Sequence, residues 1–173
     1  ELIAALCSTV SYRETVKLTL PEGWNSFQMA KAAEAAGLCT EAEYLEAANA
    51  LDYDFDWMKD ISTDPDKLTV LEGFLYPETY SFFPDATARD IVTTQLREFQ
   101  KKVLTEENKA ALKDSGFTLE EWVVFASIVQ KESASVEEMY NVSSVFHNRL
   151  SNAGEYPRLE SCTPNNFIWD YVE

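Results

Sequence analysis

The sequence predicts an α+β fold: a small strand-helix-helix-strand unit followed by a mainly helical one. Three observations predict it. Thr15 to Leu20 alternates polar and apolar side chains with period two. Thr40, Thr118 and Ser135 are each followed three positions later by Glu, the signature of a capping box at a helix start. Finally, 46% apolar content with 10 Phe, 8 Tyr and 4 Trp supplies a real core for a chain of 173 residues, which at that length buries roughly 70% of its unfolded surface.

The first strand stops at Pro21-Glu22-Gly23, a turn. A helix follows, with Ser26 as its expected N-cap, Met29, Ala30, Ala33 and Ala36 at helical spacing and Gly37 as its stop. Thr40 and Glu43 open a second helix that runs to about Ala50. After the polar stretch Ser62 to Lys67, the β-branched and aromatic residues of Leu68 to Phe83, broken by Gly73 and Pro77, read as short strands. Pro84-Asp85 marks a soft boundary, giving a leading segment 1–14, a first unit 15–83 and a second unit 84–173. A long helix is expected from about Ala88 to Val103.

Charge narrows the function. Acidic residues outnumber basic ones by 30 to 14, for a net charge of −16, a field that repels nucleic acid and anionic lipid. Cys7, Cys39 and Cys162 are odd in number and far apart, and His147 is the lone histidine. No disulfide framework or metal site can be argued from them. The apolar run from Trp122 to Val129 falls well short of the ~20 residues needed to span a bilayer. The chain opens at Glu1 with no signal peptide, and is expected to be a processed or excised piece.

The chemistry points to the helix opened by Thr118 and Glu121 and running to about Ser133, with Trp122, Phe125, Ile128 and Val129 as its apolar stripe. At ~100° per residue, Glu132 lands on that stripe between Phe125 and Ile128, so a carboxylate is expected on the buried side. Desolvation there raises the pKa and keeps a proton ready for a departing sugar oxygen, as in a glycosidase acid. The plainer alternative is that the helix ends near Glu132, leaving it at a solvated rim or paired with Arg149. Ser135 and Glu138 open a further helix that packs through Met139, Val142, Val145, Phe146 and Leu150, with Gly154 as its expected C-cap. Asn148 and Arg149 near its end are placed either to bond sugar hydroxyls or to satisfy the last carbonyls.

Four blocks now carry a resemblance. Val16-Lys-Leu-Thr-Leu-Pro-Glu-Gly-Trp24, Leu71-Glu-Gly-Phe-Leu-Tyr-Pro-Glu-Thr-Tyr80, Ala126-Ser-Ile-Val-Gln-Lys-Glu-Ser133 and Ser144-Val-Phe-His-Asn-Arg-Leu150 resemble, in order, blocks of the YceG-like endolytic murein transglycosylases. The resemblance implies a LysM-like first unit and a lysozyme-like catalytic second unit. It also implies Glu132 as the catalytic acid and base, at the second glutamate of the family's E-K-E triplet, whose first is Gln130 here. The implied substrate is a peptidoglycan glycan strand, cut without cofactor or metal at the MurNAc-GlcNAc β-1,4 bond to leave a 1,6-anhydro end, in glycan strand termination. Ser133, Asn148, Arg149, Glu72, Tyr76 and Tyr80 are the candidate substrate-binding residues. Further implications are the extracytoplasmic face of the bacterial cytoplasmic membrane, an anchor outside this segment, and peptidoglycan synthases as neighbours.

The chain departs from the family pattern at Leu159-Glu-Ser-Cys-Thr-Pro164, where an aspartate is lost, and it stops at Glu173, where the family's catalytic unit continues. The resemblance therefore leads us to expect that the catalytic unit is C-terminally incomplete. A second reading is a catalytically inactive peptidoglycan-binding or scaffold module, which keeps glycan binding but not cleavage. A third, a helical interaction protein inside the cell, fits the acidity but leaves four ordered blocks unexplained.

Overall fold

A computed structural model describes residues 14–64 and 67–161. Most of the leading segment, together with Cys7, Cys162, Thr163 and Pro164, lies outside the described residues. The described chain is α+β: strands β1 (Val16–Thr19) and β2 (Thr79–Phe82) with six α-helices, α1 (Ser26–Ala35), α2 (Glu41–Asn49), α3 (Ala88–Lys102), α4 (Glu106–Ser115), α5 (Leu119–Glu132) and α6 (Val136–Ser151). A turn of 3₁₀ helix, Asp56–Asp60, lies between α2 and β2. β1 and β2 pair antiparallel, with Val16 opposite Phe82 and Leu18 opposite Tyr80. The expected β-α-α-β order is thus present up to β2.

Local capping chemistry fixes most helix ends. Thr40 and Thr118 form the reciprocal boxes expected of them with Glu43 and Glu121. For α1 the cap is Asn25 and not Ser26: Asn25 accepts the Gln28 N–H at 2.8 Å, and Gln28 Oε1 accepts the Asn25 N–H at 3.0 Å. Ser26 instead sits buried as the first helical residue. Gly37, at φ 72°, ends α1 with the Leu38 N–H on Ala33 and its own N–H on Glu34, a Schellman closure. At the end of α6 the stop is Asn152, whose N–H bonds Asn148 and Arg149 carbonyls; Gly154, the expected C-cap, lies beyond it.

Leu68 to Phe83 holds one strand, not several. Its first half is a series of turns docked on the end of α2, with the Val70 N–H on Asn49 Oδ1 and the Leu71 N–H on the Ala48 carbonyl. Those bonds leave Leu71, Phe74 and Leu75 buried without a sheet partner.

The main core draws on β1, α1, α2, these turns, β2 and α3, and extends to Leu119 at the start of α5. Phe74, Phe99 and Trp57 meet with ring centroids 5.3 to 5.7 Å apart. Buried within this core, Gln95 accepts the Tyr44 hydroxyl at 2.7 Å, and its amide nitrogen lies 3.5 Å from Met29 Sδ. Burial pushes the Tyr44 hydroxyl well above its ordinary pKa. A second, smaller cluster joins Ile128 and Val129 of α5 to Phe146 of α6, with Phe125, Met139, Val142 and Leu159 packed on it. α5 therefore spans both cores, its first half on one and its second half on the other.

Candidate functional site

The capping box at Thr118 starts α5, and the helix stops at Glu132 because Ser133 turns to extended backbone, φ −102° and ψ 133°. Ser133 donates its hydroxyl back to the Val129 carbonyl at 2.6 Å, satisfying one of the last carbonyls of the helix. Ser135 then caps α6 by accepting the Glu138 N–H, while the Glu138 carboxylate accepts the Ala134 N–H at 2.8 Å. The chain thus makes a sharp corner immediately after Glu132.

Glu132 is exposed there, and this corrects the expectation of a buried carboxylate. The reason is positional. Ile128 and Val129 are buried against α6, but the helix ends before another turn can carry the stripe further. Glu132 Oε1 accepts the Ser161 hydroxyl at 2.6 Å.

Arg149, half-buried near the end of α6, donates to the Leu159 carbonyl and pairs with the Glu160 carboxylate at 3.4 Å. Asn148 is exposed one residue earlier, and its carbonyl accepts the Asn152 N–H and side-chain amide. On the adjoining face of α6, His147 stacks between Phe117, at 5.8 Å and 11°, and Phe125, at 4.6 Å.

The candidates of the first unit lie differently. Glu72 Oε2 accepts both the N–H of Ser26, at 3.0 Å, and its hydroxyl, at 2.6 Å. That places a carboxylate at the start of α1, where the helix dipole favours it. Tyr80 is 6% exposed, with its ring 5.8 Å from Phe82 and its hydroxyl on the Tyr76 carbonyl at 2.7 Å; burial raises its pKa. This is the setting of a core residue. Tyr76 is half-buried and packs against the main core.

Among the contacts that bring the first unit to α5 are the following two. Lys131 Nζ donates to the Gly23 carbonyl at 3.1 Å, in the turn after β1. Gly73, at φ 84°, lets α5 approach so closely that an added Cβ would lie 2.7 Å from Val123 Cγ1. The structure therefore puts Glu132 and Ser133 at the α5–α6 corner and Arg149 and the exposed Asn148 near the other end of α6, while Glu72, Tyr76 and Tyr80 belong to the first unit. Ser161 was not singled out from sequence. It reaches Glu132 across 29 positions, and no periodicity signals such a contact.

Among the described residues no helix is long and apolar enough to cross a membrane.

The YceG-like family model matches residues 1–171. Over 81 residues the chain is 31% identical to the endolytic murein transglycosylase of Bacillus subtilis (strain 168), a match covering 46% of this chain and 22% of that protein. It is 32% identical over 81 residues to the endolytic murein transglycosylase of Streptococcus pneumoniae serotype 2 (strain D39 / NCTC 7466), covering 47% of this chain and 14% of that protein. The fold also matches the crystal structure of a YceG-like protein from Listeria monocytogenes with a TM-score of 0.66 and 26% identity, covering 78% of this chain and 47% of that one. In each comparison the match spans less than half of the relative.

Proposed function

This chain belongs to the YceG-like family, and on that premise we propose that it cleaves peptidoglycan glycan strands as an endolytic lytic transglycosylase, with Glu132 as acid and then base. The observation that carries the reading is a carboxylate at the last residue of α5, open to solvent at a corner and accepting the Ser161 hydroxyl. A bound glycan covers that carboxylate, withdraws water from it and raises its pKa toward that of a usable acid.

In the proposed reaction Glu132 gives its proton to the oxygen joining MurNAc C1 to GlcNAc C4, and the C1–O bond breaks. The muramic acid 6-hydroxyl closes on C1 while its proton passes to the Glu132 carboxylate. The product is a 1,6-anhydro end, the acid is regenerated, and no water is consumed. One carboxylate serves both steps, whereas hydrolytic glycosidases use two.

In this reading residues 15–83 form a LysM-like unit that holds glycan and 84–173 a lysozyme-like catalytic unit, with Asn148 and Tyr76 available to sugar. The setting is the outer face of the bacterial cytoplasmic membrane, near peptidoglycan synthases, with any anchor outside this segment. Digestion of peptidoglycan in ¹⁸O-labelled water tests the reaction. The new muramic acid ends are expected to carry no label; labelled ends would establish hydrolysis and overturn the proposal.

A further inference from the structure

Leu159, Glu160 and Ser161 form a short strap that links the last turn of α6 to Glu132 at the end of α5. Leu159 packs into the second hydrophobic cluster, and its carbonyl accepts from Arg149. Glu160 follows at φ 55°, the one non-glycine residue at positive φ among the described residues, a sparsely populated region for a side chain of this kind. Its carboxylate pairs with the same guanidinium at 3.4 Å. The bend at Glu160 is thus tied down on both sides by Arg149, and beyond it the Ser161 hydroxyl donates to Glu132 Oε1 at 2.6 Å.

Resting on the proposed role of Glu132, we infer that Ser161 is a positioning residue for that carboxylate, and that Arg149 acts as the clamp holding the strap rather than as a sugar ligand. A short hydrogen bond from Ser161 fixes one oxygen of an exposed carboxylate, the kind of orientation that proton transfer requires. Donation to the ionised form favours that form, so removing the hydroxyl is expected to make the carboxyl easier to protonate. The other charged groups near the ends of these elements are Lys131 on α5, Glu137, Glu138 and Arg149 on α6, and Arg158 and Glu160 at the strap, and several of them have contacts of their own. Lys131 donates to Gly23, Glu138 accepts from Ala134, and Glu160 pairs with Arg149.

The test is a ¹³C NMR titration of the 173-residue chain labelled at glutamate Cδ, with the Glu132 resonance identified by its loss in Glu132→Gln. Ser161→Ala is expected to move the Glu132 midpoint up by about half a pH unit, the low end of what one hydrogen bond is worth, and to lower kcat with KM unchanged. Ser161→Thr restores both. Arg149→Gln moves the midpoint in the same direction while the amide spectrum of α5 is retained. An unmoved midpoint in Ser161→Ala overturns the positioning role; a raised KM with an unmoved midpoint in Arg149→Gln overturns the clamp. Failure of the catalytic reading is separate: Glu132→Gln would then cleave glycan as well as the parent, whatever Ser161→Ala does to the titration.

Discussion

Gly73 and Val123 lie so close that no side chain fits between them: a Cβ on Gly73 would sit 2.7 Å from Val123 Cγ1. Gly73 also holds φ 84°, which an L side chain resists. Strain and overlap act together, so Gly73→Ala is expected to destabilise the chain by about 2–4 kcal/mol. Val123→Ala in the same chain removes the overlap and recovers part of that loss. Urea denaturation of the four variants of the cycle checks this, and a Gly73→Ala chain as stable as its parent would show that α5 is not docked through this contact.

Tyr44 and Gln95 form a buried polar pair in the main core. Tyr44→Phe leaves Gln95 Oε1 without its hydroxyl donor, at an expected cost of about 1–3 kcal/mol. Tyr44→Phe combined with Gln95→Leu is expected to be less destabilising than the sum of the two single changes. Additive losses would mean the pair is not coupled.

Glu72 separates a structural role from a substrate-contacting one. Its carboxylate accepts two hydrogen bonds from Ser26 at the start of α1, so Glu72→Ala is expected to lose about 1 kcal/mol of stability. Its glycan cleavage, measured where both proteins are fully folded, is expected to stay at the parent level. Loss of cleavage without loss of stability would make Glu72 part of the site.

Helix caps contribute to the acid sensitivity of the fold. The Thr40 and Thr118 backbone N–H groups and hydroxyls hold the carboxyls of Glu43 and Glu121 below their ordinary range, and the Thr87 hydroxyl and N–H do the same for Asp90. A folded-state pKa lowered in this way contributes stability above the unfolded value, lost as pH falls through the folded value. The melting temperature is therefore expected to hold near neutral pH and fall below about pH 4. Calorimetry of the Thr40→Ala/Thr118→Ala variant should show a shallower acid fall than the parent. An identical fall would assign it to other groups.

What was legible in the sequence follows the range of each interaction. Caps act over three residues, so Thr40 and Thr118 announced α2 and α5 directly. Thr87 and Thr105 cap α3 and α4 just as clearly, but with Asp90 and Asn108 at the third position in place of Glu. The turns at Leu68 to Leu75 were unreadable because their partners, Asn49 and Ala48, come from α2. Glu132 falls at the end of the helix that the Thr118 box opens, yet helical periodicity carries no information on whether anything covers the last turn. Ser161 and Arg149 meet the site through a strap whose course is set by Leu159 and a positive φ at Glu160, neither of which composition or spacing encodes.

The most direct test of the account is digestion of purified peptidoglycan by this chain and by its Glu132→Gln variant, with products resolved by mass spectrometry. Anhydromuramyl ends are expected from the parent and none from the variant, with both proteins still binding glycan. Equal cleavage by the variant would contradict Glu132 as the acid and base, and glycan binding without cleavage by the parent would make the chain a binding module.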